Sequence, residues 1–243
     1  MAGVQVGVRN SSTWLQVPRG SGMALIVVSV LGFGVAAGIV LFGVAGRFDL
    51  PMFWAYLATL IVVCLLAFIR LLRRSPDLVQ ERFHPGKGER DPITALAAFV
   101  LFAAQYVVAG LDAGRYHWSG TMPVGLQIAG LAAAVAGLIF AFWAMDVNPF
   151  FSSAVRLQQD RGQRVIASGP YRFVRHPGYT GALVYVWCVS VALGSWWSLW
   201  PILVVTIAMI RRTVIEDNML RRDLVGYAEY AQKTRYRLAP GLW

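Results

Sequence analysis

The chain has 243 residues, of which 57% are apolar and 14% are charged. Soluble domains contain about 45–50% apolar and about 25% charged residues, so this composition excludes a disordered chain and argues against a water-soluble globule. The formal net charge of +10 comes from short basic stretches that alternate with long uncharged runs. This alternation is typical of a protein that crosses a membrane several times.

Five uncharged runs are long enough to cross the hydrocarbon core, which takes about 20 apolar residues in a helix. They cover residues 23–46, 50–69, 92–111, 120–145 and 177–210. The last run is long for one span, and Gly194 and Ser195 interrupt it near its middle, so we interpret it as a hairpin of two helices. The predicted fold is therefore an all-α, polytopic membrane bundle with about six membrane-embedded helices.

The basic residues support this count. With six spans, 20 of the 22 Lys and Arg residues lie on one side of the membrane and two on the other. The positive-inside rule then predicts that both termini are cytoplasmic. Membrane topology and anionic lipid headgroups account for the positive charge, so we expect membrane lipids as partners and no nucleic acid.

Three regions follow from this pattern. Residues 1–22 are predicted to form a cytoplasmic tail, 23–145 four transmembrane helices, and 146–243 a core that carries most of the polar groups. A cytoplasmic C-terminal helix is expected within residues 216–233, where apolar residues recur at helical spacing. The two cysteines, Cys64 and Cys188, lie inside predicted spans and have no metal-binding spacing, so no metal site is expected.

The candidate chemistry lies at the start of the hairpin, where residues 168–179 read SGPYRFVRHPGY. Arginine, histidine and tyrosine side chains converge there on one membrane interface. Because a hairpin leaves and re-enters the same face, Arg175 and His176 are expected to lie near Arg212 and Glu216. Residues 163–167 are rich in β-branched side chains, and this favours a short extended segment.

These residues resemble a known family. The string GPYRFVRHPGYTG at residues 169–181, followed by the acidic pair Glu216-Asp217, is similar to the signature of the isoprenylcysteine carboxyl methyltransferase and phospholipid methyltransferase superfamily. That family usually has two glutamates at the acidic pair. Because Asp217 departs from this pattern, only Glu216 is taken as a candidate site residue. The resemblance covers roughly residues 145–243.

The resemblance implies an integral membrane methyltransferase that uses S-adenosyl-L-methionine (SAM) and methylates a lipophilic or small acceptor. Asn148 and Arg175 lie in the resembling strings and are candidate catalytic residues, and Arg212 is a third candidate from its position at the end of the hairpin, where it could orient the acceptor. The resemblance implies cofactor contacts for nine residues: Gln163, Val165, Ile166, Gly169, Tyr171, His176, Pro177, Tyr179 and Glu216. The SAM site would then be cytoplasmic.

Several alternatives remain open. Arginines outnumber acids at this interface, which favours an anionic acceptor, a carboxylate or a thiolate, over a phospholipid amine. Membrane reductases that use NADPH carry a similar Arg-His-Pro string, but they have Asn and Glu where this chain has Gly178 and Ala182. A non-enzymatic membrane protein is the third possibility, although the predicted spans contain almost no charge to mark a translocation path.

Overall fold

The computed structural model describes residues 19–75, 78, 92–152 and 156–243. Within these ranges the chain folds into helices joined by turns and irregular segments, with no strand. The seven α-helices of these ranges are α1 (Arg19–Ala45), α2 (Pro51–Arg74), α3 (Pro92–Leu111), α4 (Val124–Val147), α5 (Pro177–Ala192), α6 (Leu199–Asp223) and α7 (Tyr227–Lys233). The predicted all-α membrane fold is confirmed.

The first six of these helices match the six predicted membrane-embedded segments. Three of them, over Gly22–Ala45, Pro51–Arg74 and Val124–Val147, are long and apolar enough to span a membrane, and Pro177–Ala192 is a shorter apolar helix. The number of spans therefore stays a prediction. Helix α1 begins at Arg19, four residues before the predicted start, and residues 1–18 of the predicted tail lie outside the described residues.

The predicted hairpin is formed by α5 and α6, which flank a turn at Gly194. This glycine has a φ of +72°, a conformation that residues with a Cβ rarely adopt. The turn is held from the end of α3, because Asp112 accepts a 2.6 Å hydrogen bond from the hydroxyl of Ser195 and another from the hydroxyl of Ser119. Asp112 is fully buried in this latch.

The predicted C-terminal helix begins later than expected. Helix α6 continues from the membrane to Asp223, so residues 216–223 belong to it, and a separate α7 starts at Tyr227. The break occurs at Gly226, whose φ of +81° ends the helical path. Helical periodicity alone does not reveal such a change of direction, because the apolar spacing is the same on both sides of it.

Helices α4 and α5 are in very close contact. A Cβ added to Gly137 would lie 2.8 Å from the carbonyl oxygen of Gly181, and one added to Gly181 would lie 2.5 Å from the carbonyl oxygen of Gly137. Small residues on the buried face of α4 allow this approach: Gly130, Ala134, Gly137, Ala141 and Ala144. Such faces let membrane helices pack backbone to backbone, and here they fix the start of α5 against the end of α4.

Candidate active site

The polar segments converge at one end of the bundle, where α4 and α6 end and α5 begins. A cleft there is lined by nine of the twelve residues singled out from the sequence: Asn148, Gln163, Val165, Ile166, Tyr171, Arg175, His176, Tyr179 and Glu216. The other three lie nearby. Arg212 contacts Tyr179, Pro177 is the first residue of α5, and Gly169 occupies a turn at a φ of +58°.

A tyrosine hydroxyl joins the two ends of the hairpin. Tyr179 donates a 2.6 Å hydrogen bond to a carboxylate oxygen of Glu216, and its hydroxyl accepts a 2.9 Å hydrogen bond from Nε of Arg212. The expected proximity of Arg212 and Glu216 to the start of α5 is therefore present. Because Glu216 also lines the cleft, its carboxylate is available to a positively charged or hydroxyl-bearing ligand.

The ring of His176 lies against Tyr179, with the ring centroids 5.7 Å apart and the planes 3° from parallel. Its Nε2 atom is buried without a hydrogen-bond partner among the described residues and lies 3.5 Å from Oδ1 of Asp217. Its backbone N–H donates to the carbonyl of Arg237 at 2.9 Å. The side chain is thus held in place by packing, and the ring lines the cleft.

Asp217 connects more of the surrounding residues by hydrogen bonds than Glu216 does, although the family resemblance indicates Glu216 as the site residue. Its fully buried carboxylate accepts hydrogen bonds from Nε and Nη2 of Arg175 (2.7 and 3.1 Å), from the Tyr227 hydroxyl (2.9 Å), and from Nε of Arg221 (3.1 Å) and of Arg237 (3.0 Å). Burial raises the pKa of this carboxyl, but the adjacent side chains of His176, Arg175 and Arg237 more than offset that effect and hold the pKa well below its usual value. Asp217 is therefore ionised.

Arg175 is occupied entirely within the protein. Besides its two bonds to Asp217, its Nη1 donates to the carbonyls of Thr234 and Arg235 at 2.8 and 2.7 Å. The residue is 4% exposed. This geometry fits a positioning residue that holds the C-terminal segment, rather than a group that contacts the acceptor.

The C-terminal segment is bound along the start of α5. The carbonyls of Thr234, Arg235, Tyr236, Arg237 and Leu238 each accept a hydrogen bond from the backbone or side chain of Arg175, His176 or Thr180. This segment was not among the site residues singled out from the sequence. The resemblance extends to residues 235–237 and implies that SAM binds between the helix ends and this C-terminal segment, but the bond of Arg237 to Asp217 joins residues that are distant along the chain.

Asn148 directly follows α4 and stabilises the side of the cleft opposite the start of α5. Its Nδ2 donates to the Tyr171 hydroxyl at 3.0 Å, and its Oδ1 accepts from the backbone N–H of Phe150 at 2.9 Å. The side chain therefore shapes the turn that follows α4.

Tyr227 and Tyr230 also line the cleft and are buried. Tyr230 donates to the carbonyl of Tyr171 at 2.7 Å, so both tyrosines belong to the site framework.

Residues 163–166 line the cleft, and the extended segment expected there does not form a paired strand. It leaves a turn at Gly162 (φ +62°) that is closed by a hydrogen bond from the Gln163 N–H to the Gln158 carbonyl. A strand needs a neighbouring chain for its ladder, and none of the described residues supplies one. The backbone N–H groups of residues 164–167 make no hydrogen bond to another described residue.

Comparisons with known proteins agree with this geometry. Residues 126–224 match the family model described as phospholipid methyltransferase. Among solved structures, the chain is similar to a eukaryotic intramembrane Ras methyltransferase, isoprenylcysteine carboxyl methyltransferase, with a TM-score of 0.55, 18% identity, and coverage of 92% of this chain and 74% of that one. A comparison with curated proteins gave no match. The resemblance inferred from residues 169–181 and 216–217 is confirmed: residues 126–224 match the phospholipid methyltransferase family model, and the chain is similar in its membrane fold to isoprenylcysteine carboxyl methyltransferase.

Proposed function

We propose that the protein is an integral membrane methyltransferase that binds SAM in the cleft at the cytoplasmic end of the bundle. The main support is that nine of the residues singled out from the sequence, which come from three separate stretches of the chain, line this one cleft. The acceptor is proposed to be a lipophilic or small molecule, with a carboxylate or thiolate as the methylated group.

The residues of the cleft fit the parts of SAM. The Glu216 carboxylate suits its ammonium or ribose hydroxyls, and the backbone N–H groups at Val165 and Ile166 suit the edge of its adenine. His176, whose ring lines the cleft, suits its carboxylate. When bound, SAM supplies an electrophilic methyl group on a sulfonium.

The protein's contribution would be mainly positional. In-line displacement at a methyl group needs the nucleophile and the leaving group aligned, and good alignment can lower a barrier by several kcal/mol. Asp217, Arg175 and the segment 234–238 hold the start of α5 rigidly, so that His176 and Tyr179 keep their places in the cleft. We therefore assign positioning roles to Arg175 and Asn148, whereas Arg212 remains a candidate to orient the acceptor through Tyr179.

Two other functions are less well supported. A phospholipid amine acceptor is favoured by the family model that matches residues 126–224, and Glu216 would then serve as the partner of the amine. A reductase is disfavoured by Gly178. A Cβ at this position would lie 2.6 Å from the ring of Phe151, so the asparagine of the reductase pattern would require that ring to move.

Calorimetric titration of the detergent-purified protein with SAM, its demethylated product and NADPH tests the proposal. We expect micromolar binding of SAM and of the product, and none of NADPH. Glu216→Gln and His176→Ala should each weaken SAM binding at least tenfold, about 1.4 kcal/mol. Asp223→Asn, which changes an exposed acid on the same helix as Glu216, is the control and should bind like the unaltered protein.

Unchanged SAM affinity in both cleft variants would overturn the site assignment. Binding of NADPH without SAM would overturn the reaction class. Acceptor candidates would then be screened only with the protein that binds SAM, by measuring the demethylated product released in the presence of carboxylate, thiol and amine compounds.

A further inference from the structure

A buried glutamine lies in the segment between α4 and α5, and its side chain has no role in the site described so far. Gln158 is 1% exposed, although glutamine is found mostly at protein surfaces. It lines the cleft together with Phe150 and Gln163, which lie on either side of it along the chain. A buried amide is tolerated only where its donors and acceptors are bonded, so its partners indicate what it holds together.

Both polar atoms of the Gln158 side chain are bonded within the same segment. Nε2 donates to the carbonyl of Phe150 at 2.5 Å, and Oε1 accepts from Nη1 of Arg161 at 2.5 Å. Arg161 extends this connection, because its Nη2 donates to the carbonyl of Pro149 at 3.0 Å and its Cζ lies 5.9 Å from the centroid of the Phe150 ring. The amide therefore joins the turn after α4 to the turn at residues 159–162.

The backbone of Gln158 holds the segment on its other side. Its N–H donates to Oε1 of Gln163 at 2.6 Å, and its carbonyl accepts from the N–H groups of Arg161 and Gln163 at 2.9 and 3.2 Å. Gln163 begins the segment 163–166 that lines the cleft. Gln158 thus connects two parts of the cleft lining, Phe150 and residues 163–166.

This side of the cleft is irregular in structure. Residues 163–166 form no paired strand, and residues 149–152 follow the end of α4 without forming a helix. An irregular segment has many conformations in the absence of side-chain bonds, and a ligand that has to order such a segment loses affinity. The bonds of Gln158 lie entirely within the protein, so they keep this side of the cleft in place without help from a ligand.

We propose that Gln158 is a positioning residue of the cleft, which holds Phe150 and residues 163–166 in one arrangement and thereby sets the affinity for SAM. The inference rests on the proposed function, because it assigns a role in the same cleft. The bonds of the Gln158 side chain lie within one segment outside the packed helices, so its loss should change SAM affinity more than the stability of the bundle.

Calorimetric titration with SAM tests this role in matched variants. Gln158→Met keeps nearly the same volume but removes both side-chain hydrogen bonds, and we expect its dissociation constant to rise about tenfold. Gln159→Ala is the control, because it removes an exposed glutamine at the next position. It should bind SAM like the unaltered protein, and the unfolding temperatures of both variants should equal that of the unaltered protein.

Hydrogen–deuterium exchange, followed by mass spectrometry without SAM, gives a readout that does not depend on the cofactor. Peptides that contain Arg161 and Gln163, whose N–H groups are bonded to the Gln158 carbonyl, should exchange about tenfold faster in Gln158→Met than in Gln159→Ala. Peptides from α4 and α5 should exchange equally in the two variants.

Equal exchange at residues 161–163 in the two variants would overturn the proposal, and so would faster exchange there with unchanged SAM affinity. A loss of affinity in Gln158→Met that accompanied faster exchange throughout α4 and α5 would also overturn it, because the effect would then be a general destabilisation. Failure of the unaltered protein to bind SAM would overturn the proposed function instead, and the exchange measurement would still decide whether Gln158 holds this side of the cleft.

Discussion

The carboxylate of Asp217 accepts hydrogen bonds from three arginines and a tyrosine that come from four separate parts of the chain. It thereby joins the start of α5, α6, the start of α7 and the C-terminal segment into one unit. A buried charge is tolerable in this position only because its partners surround it, and removal of either side leaves the other uncompensated.

Replacing Asp217 by Asn should therefore destabilise the protein strongly. We expect a loss of about 3–5 kcal/mol in the free energy of unfolding, as for other broken buried ion pairs. Thermal unfolding in detergent, followed by circular dichroism, measures the change. Asp223→Asn is the control and should leave the unfolding temperature unchanged, because Asp223 pairs with Arg222 at the surface. An unfolding temperature for Asp217→Asn equal to that of the control would refute this role.

The same residue predicts a dependence on pH. Because the pKa of Asp217 is lower in the folded protein than its unfolded value of about 3.9, its contribution to stability is complete above that pH and is lost as the pH falls further. The gap in unfolding temperature between the unaltered protein and Asp217→Asn should accordingly be constant near neutral pH and shrink in acid. A gap that stayed constant down to about pH 3 would contradict the assignment.

At the scale of elements, the contact between α4 and α5 decides where the site residues lie. Helix α4 ends just before Asn148 and α5 begins just after His176, so their separation sets the distance between the two walls of the cleft. Backbone contacts at Gly137 and Gly181 leave no space for even a methyl group. Backbone atoms of a neighbouring helix cannot move aside as the end of a flexible side chain can, so the packing of α4 against α5 is sensitive to single substitutions.

Gly137→Ala should force α4 and α5 apart. A Cβ at this position would lie 2.8 Å from the backbone of both Gly181 and Tyr185, and overpacking of this kind costs about 1–3 kcal/mol. We expect a lower unfolding temperature and weaker SAM binding. Gly125→Ala is the matched control on the same helix, since nothing in the described chain lies within 4 Å of its added Cβ. If both variants behaved alike, the close approach of the helices would not matter for the site.

At the scale of the whole molecule, the distribution of charge predicts the orientation in the membrane. The loop at Asp49 and the tip of the α5–α6 hairpin should lie outside, and the end of α6 with its arginines should lie in the cytoplasm. The exposed tryptophans Trp196, Trp197 and Trp200 at the hairpin tip are typical of an interface with the outer headgroups.

Thiol labelling of intact cells tests this orientation. In a background where Cys64 and Cys188 are replaced by Ser, Asp49→Cys should react with a reagent that does not cross the membrane. Asp223→Cys should react only after the cells are opened. Both positions are accessible, with side chains 70% and 31% exposed. The reverse labelling would invert the topology and move the proposed SAM site to the outside.

The resemblance to a known family indicated most of the residues that line the cleft. The sequence by itself determined the all-α membrane fold, the six helical segments and the break at Gly194. These features depend on apolar run length, on charge and on local residue type, which are readable along the chain. A hairpin also returns to the face that it left, and this rule alone predicts that Glu216 lies near the start of α5.

Only the tertiary structure decided which acid organises the site. Glu216 and Asp217 are neighbours in sequence, but on α6 they point in different directions, so Glu216 lines the cleft and Asp217 is buried among arginines. The roles of Arg175 and Arg237 likewise depend on partners that are distant along the chain. Burial and pairing are properties of the packed molecule, and no local pattern carries them.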